Sequence, residues 1–177
     1  AEAANTLGAK YVVLPAIPES ERSTLDDYKR IAERFNAIGA AAKSEGIAFA
    51  YHNHGYGLIP NDQGIKPVDL IFDGTDPRLV FLEMDVFWTV AGRANPIELI
   101  QKHSGRYKMF HLKDMKELTY FEGAGSTAPE WMALFPKLVS AGSGVIPIDA
   151  IVETASAHGA EHFFIEHDFA PDPIENI

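Results

Sequence analysis

Five short apolar runs recur along the 177 residues, and between each consecutive pair lies a stretch with helical spacing. The runs are KYVVLPA (10–16), IAFAYHN (47–53), RLVFLEMDV (78–86), RYKMFHLKD (106–114) and HFFIEHD (162–168). Strands joined through helices run parallel, because a tight turn can only join antiparallel neighbours. Near-continuous apolar runs also suit strands buried on both faces. The chain is therefore expected to be α/β. No Gly-x-Gly-x-x-Gly follows the first run, so a dinucleotide-binding sheet lacks its main support and a barrel is the other parallel option.

The stretches between the runs carry ordinary helix signals. Tyr28, Ile31, Ala32, Phe35, Ile38 and Ala42 share one helical face, opened by a Ser23-x-x-Asp26 capping box and stopped near Gly46. Pro67 opens a short helix, and Asn95-Pro96 supplies a cap and a first-turn proline for another that ends at Lys102 and His103. Beyond a segment rich in Gly, Ser and Thr at 121–128, helices are expected from Pro129 to about Val139 and from Ile148 to His158. The opening residues read as a helix end leading into a strand, with no leader-like pattern, and a cytoplasmic location is expected.

Charge and composition exclude several classes of function. Lys+Arg number 15 against Asp+Glu 25, a formal net charge of -10, which opposes binding to a phosphate backbone, so no nucleic acid is expected. No apolar run is long enough to cross a bilayer, so no membrane partner is expected either. There is no cysteine, and any metal site must be built from His, Asp and Glu.

The polar residues gather where such a site would be. Residues two apart share one face of a strand. His52 and His54, Glu83 and Asp85, His111 and Lys113, and Glu166 and Asp168 are four such pairs, each at the carboxyl end of its strand. Parallel α/β folds place ligands and catalytic groups at that end. So many imidazoles and carboxylates in one place need mutual pairing or a cation, and a divalent metal is the simplest shared partner. One ligand per strand makes the set a histidine of the second strand, Asp85 or Glu83, His111, and Glu166. Nitrogen and oxygen donors without sulfur suit Mn, Zn, Fe or Co better than Ca or Mg.

The motifs YHNHGYG, FLEMDVFWT, MFHLKDM, GSGVIPID and FFIEHD, in that order from Tyr51 to Asp168, resemble the xylose isomerase-like superfamily of TIM barrels. Within it they are most similar to the sugar phosphate isomerase/epimerase group, with its inosose dehydratases and ketose 3-epimerases. The resemblance implies a (β/α)8 barrel, of which these would be the last five βα units. Residues 1–177 then belong to a single domain, and the first three strands and the last helix lie outside the sequence. An open segment of this kind exposes edge strands, which the rest of the barrel or another copy would cover.

By the same resemblance a metal is held by Glu, Asp, His and Glu, matched here by His52 in place of the first Glu, Asp85, His111 and Glu166. His54 would then contact substrate, or take the metal itself with His52 behind it. Glu166, His54, Lys113 and Glu83 are the candidate catalytic groups, and His54, Trp88 and Lys113 the candidate substrate contacts. Gly142-Ser143-Gly144 would offer backbone N–H groups to substrate oxygens. With His52 replacing a Glu, a two-carboxylate proton exchange loses one of its bases. The surviving chemistry is removal of a proton beside a metal-polarised carbonyl of a small-molecule sugar, which serves isomerisation, epimerisation or dehydration. An abasic-site endonuclease and a non-catalytic carbohydrate-binding barrel are the readings from other classes, and a homo-oligomer is compatible with all three.

Overall fold

A computed structural model describes residues 2–172 and 174. In chain order the elements are α1 (Glu2–Thr6), β1 (Tyr11–Leu14), α2 (Leu25–Ser44), β2 (Ala48–His52), α3 (Pro67–Gly74), β3 (Val80–Asp85), α4 (Val86–Ala91), α5 (Pro96–Lys102), β4 (Tyr107–Leu112), β5 (Asp114–Met115), α6 (Ala128–Leu134), β6 (Leu138–Val139), α7 (Ile148–Ala157) and β7 (His162–Ile165). The closing stretch PDPIENI, after which the barrel's last helix was expected to lie, falls largely outside the described residues.

The five long runs form one sheet in the order β1-β2-β3-β4-β7, and every pair is parallel. β2 and β3 are buried almost throughout, as two-sided apolar strands require. β1 and β7 are the edges, and Val12, Phe164 and Ile165 on them are exposed. The sheet is strongly curved: the Tyr11 ring of one edge stands edge-on to His162 of the other at 6.0 Å. Glu161 lies 3.5 Å from Lys10 and 3.4 Å from Lys108, which ties the two edges together at their amino ends. Five strands thus make part of a barrel wall.

Helix α2 starts at Thr24, whose Oγ1 accepts the Asp27 N–H while the Asp27 carboxylate accepts the Thr24 N–H. The capping box is therefore one residue later than the expected Ser23–Asp26 pair. Its buried stripe is Tyr28, Ile31, Ala32, Phe35, Gly39 and Ala42. Ile38, expected in that stripe, is 40% exposed, and Gly39 takes the inward place. A Cβ at Gly39 would lie 2.3 Å from the Leu79 carbonyl oxygen, so the missing side chain lets α2 approach the chain entering β3.

Two further features departed from expectation. Six residues coil into α4 directly after β3, with no loop between, capped by Asp85 Oδ1 accepting the Trp88 N–H at 3.0 Å. A uniformly apolar run carries no period to announce such a turn. The helix expected from Pro129 to Val139 ends at Leu134, gives a single 3-10 turn and then forms β6, which pairs antiparallel with β5. Among the described residues no helix is long and apolar enough to cross a membrane.

Gly39→Ala is expected to destabilise the fold by about 1–3 kcal/mol, the usual range for overpacking against rigid backbone. Urea unfolding reads this directly; an unchanged midpoint would mean that α2 does not sit so close to Leu79.

Candidate active site

Seven of the eight residues in the four polar pairs line one pocket of about 320 Å³ at the carboxyl ends of β2, β3, β4 and β7, and the eighth, Asp85, is fully buried 3.2 Å from Lys113 of the lining. The register explains why: His52 is level with Glu83 and Asp85 is level with His111. Glu83 Oε2 lies 2.8 Å from His52 Nδ1 and 3.5 Å from His111 Nε2. An ionised carboxylate only accepts, so His52 carries its proton on Nδ1 and leaves the Nε2 lone pair free. That Nε2 is 3.9 Å from Asp85 Oδ2. Asp85 is completely buried, and its Oδ2 accepts no hydrogen bond although Lys113 Nζ stands 3.2 Å away as an ion partner.

Ligand-type atoms of His52, Asp85 and His111 all lie within 4.8 Å of one another. Two imidazole nitrogens and a carboxylate oxygen around an unsatisfied buried acceptor are a donor set suited to a divalent transition ion. Glu166 stands outside this group of three. Its carboxylate accepts from His111 Nδ1 and lies 3.1 Å from Lys113 Nζ, which also donates to Asp168 at 2.7 Å.

The electrostatics follow from this crowding. Burial disfavours a charged His111, but hydrogen bonds to Glu166 and Glu83 outweigh it and lift the imidazole to about 10. Burial likewise opposes ionisation of Glu83 and Glu166; hydrogen bonds from His111 and, respectively, His52 and Lys113 overcome it and hold both carboxyls at about 2. Lys113 is raised despite its burial, chiefly by Asp85. His54 goes the other way, to about 3, because burial dominates and the nearby Lys113 ammonium adds to it. It is a neutral imidazole.

His54 lies in a stack of aromatic rings, 5.1 Å from Trp131 and 6.0 Å from Tyr56, and its Nδ1 has no hydrogen-bond partner. Trp88, expected as a sugar wall, lines the pocket but is 98% covered and stacks on Phe121. Trp131 is the half-exposed indole there, and nothing in its local sequence pattern distinguishes it from an ordinary residue of α6. Asn53, between the two histidines, faces away and donates to Thr89 of α4 at 3.1 Å. The expected donors Gly142 and Gly144 are not turned to the pocket: both donate to Asp114. Among the remaining histidines, His103 caps the carboxyl end of α5 and is buried against Phe72, and His158 bonds the Thr154 carbonyl at its helix end.

The family model of the xylose isomerase-like TIM barrel matches residues 1–176. This chain belongs to that family. Curated relatives include the inosose dehydratases of Clostridium perfringens, 29% identical over 126 residues, and of Clostridium tetani, 33% identical over 104. Those matches cover 64% and 58% of this chain but 41% and 34% of the relatives, so the chain spans less than half the length of either. A crystal structure of a sugar phosphate isomerase/epimerase from Parabacteroides distasonis superposes with a TM-score of 0.74 at 31% identity, covering 96% of this chain and 55% of that one. The IolI protein, solved with a zinc atom, shares the fold at a TM-score of 0.68 and 21% identity, over 96% of this chain and 58% of its own. The pocket thus lies at the face where barrels of this architecture carry their chemistry.

In the metal-free protein the shifts define a pH window. His111, raised from its ordinary 6.5, contributes stability fully below about pH 6.5 and loses it as pH climbs through about 10. Glu83 and Glu166, lowered from 4.5, contribute above about pH 4.5 and lose it as pH falls through about 2. The stability difference between wild type and His111→Ala in urea should therefore peak between about pH 4.5 and 6.5 and shrink on both sides. A difference undiminished near pH ~11 contradicts this pairing.

Proposed function

We propose that residues 1–177 belong to one barrel domain of a metal-dependent enzyme that removes a proton next to the carbonyl of a polyhydroxy ketone. The observation carrying this reading is the buried, unsatisfied Asp85 Oδ2 grouped with His52 and His111. In this reading those three residues hold a divalent ion, Mn, Zn, Fe or Co, with Glu166 beside them as a fourth ligand. Glu83 orients His52 through Nδ1, as carboxylates behind ligating histidines do. A bound ion supplies Lewis-acid polarisation of the ketone and of the hydroxyl next to it.

The chain's own groups then divide the work. Glu166, ionised across the neutral range, accepts the proton from carbon. Lys113, held charged, offsets the negative charge that develops on the substrate oxygens. His54, being neutral, offers one N–H and one lone pair to a substrate hydroxyl. Returning the proton to the neighbouring carbon completes an isomerisation, and returning it to the same carbon from the opposite face completes an epimerisation. Loss of a β-hydroxyl, carried off as water with that same proton, completes a dehydration. That the curated relatives are inosose dehydratases favours the second ending.

Elemental analysis should find about one equivalent of transition metal in wild type and almost none in His52→Ala, Asp85→Ala and His111→Ala. With inosose in deuterated water, wild type should exchange or eliminate the C–H next to the ketone. Glu166→Gln should lose about 10²–10⁴-fold of that rate, the ordinary worth of a general base. Retention of the rate in Glu166→Gln would remove it as the base, and a wild type that takes up no metal would sink the metal-dependent reading.

A further inference from the structure

Barrel enzymes that take phosphorylated substrates grip the phosphate with backbone N–H groups of loops after two neighbouring late strands, often helped by a short helix. The corresponding segments here follow β4 and β7. The first contains Gly142-Ser143-Gly144, a composition suited to an anion-binding nest.

That nest is already full. Asp114 Oδ2 accepts the N–H of Gly142 at 2.9 Å and of Gly144 at 2.8 Å, and Oδ1 accepts those of Ile146 at 3.0 Å and Met115 at 2.7 Å. Asp114 is completely buried, and a Cβ at Gly144 would lie 2.4 Å from its Oδ1, so the loop is closed tightly around the carboxylate. A second run of N–H groups is filled in the same way. Gly125, Ser126 and Thr127 all donate to the Glu130 carboxylate at 3.0 Å.

The side-chain cations nearby are committed too. Lys113 Nζ lies 3.2, 3.1 and 2.7 Å from Asp85, Glu166 and Asp168. Arg22 donates to the Ile17 and Ser126 carbonyls, with its guanidinium 3.7 Å above the Tyr56 ring. The cleft between the two segments, about 720 Å³, shares Phe135 and Asp168 with the reaction pocket and is otherwise lined mainly by apolar groups such as Met132, Leu138, Val139 and Phe169. Its polar groups are Ser140, Ser143, His167 and the Asp168 carboxylate, and no Lys or Arg lines it, so a phosphate entering it finds no lysine or arginine to pair with. Displacing Asp114 would leave a buried, unpaired charge, and Asp114 competes as a tethered occupant at high effective concentration.

We infer that the pocket takes an uncharged polyhydroxy ketone and rejects its phosphate ester, with Asp114 standing permanently in the place of the phosphate. The inference rests on the keto-sugar reading of the site, but its test needs no turnover.

Inorganic phosphate is titrated into the purified, metal-stripped protein and followed by equilibrium dialysis. Wild type should show no saturable binding up to about 20 mM, whereas Asp114→Ala, with its fold checked by circular dichroism, should bind phosphate in the range of about 1–10 mM. Saturable binding by wild type overturns the inference, and so does a folded Asp114→Ala that binds no better than wild type. Should Asp114→Ala not fold, the wild-type titration still decides. Faster turnover of a sugar phosphate than of the free ketose sinks this inference alone; rejection of phosphate by a protein inactive on every keto-sugar sinks the catalytic reading alone.

Discussion

Everything at the candidate site depends on the register between β3 and β4. The pairing shifts by one residue between Leu82 and Glu83: Leu82 is level with Tyr107, but Glu83 is level with Met109 and Asp85 with His111. An unbroken ladder would carry Asp85 level with Phe110, and alternation would then turn the histidine to the opposite face. One irregularity in a buried ladder therefore decides that a carboxylate and an imidazole meet. Such irregularities recur beside functional sites because they re-aim side chains.

With the side chains brought together, charge becomes the next constraint. Glu83, Asp85, Glu166 and Asp168 converge on Lys113 and two imidazoles in a largely covered pocket. Without a bound cation the protein balances them internally, with protons on His111 and a lysine shared among three carboxylates. That balance leaves Asp85 Oδ2 without a hydrogen bond, and a divalent ion would satisfy it. The outer loops follow the same logic: Asp114 and Glu130 each gather backbone N–H groups that would otherwise stand unpaired.

The strands and the helix starts were legible because their signals are local. The five apolar runs became the five sheet strands, and Asn95 caps α5 as its position before Pro96 implied. Alternation along the strands places His52 and His111 inward, and His54 and Lys113, just past the ends of β2 and β4, keep to the same pocket. What escaped was set by partners far along the chain. Gly39 displaced Ile38 from the buried stripe because Leu79 presses on that turn, and Gly142 and Gly144 face Asp114 because a buried carboxylate outcompetes solvent for their N–H groups. Trp131 reaches His54 across more than seventy residues of sequence, a contact that no period or cap announces.

The sequence by itself determined a parallel α/β sheet, the polar endings of its strands and the family to which those endings belong. Each is a property of residues within a few positions of one another, where chain geometry alone dictates which side chains share a face. Only the tertiary structure decided which histidine nitrogen stays free, that Asp85 is left unsatisfied, and that the glycine-rich loop is closed by an aspartate. Those outcomes depend on ångström distances between strands and loops, which register and packing set and composition does not.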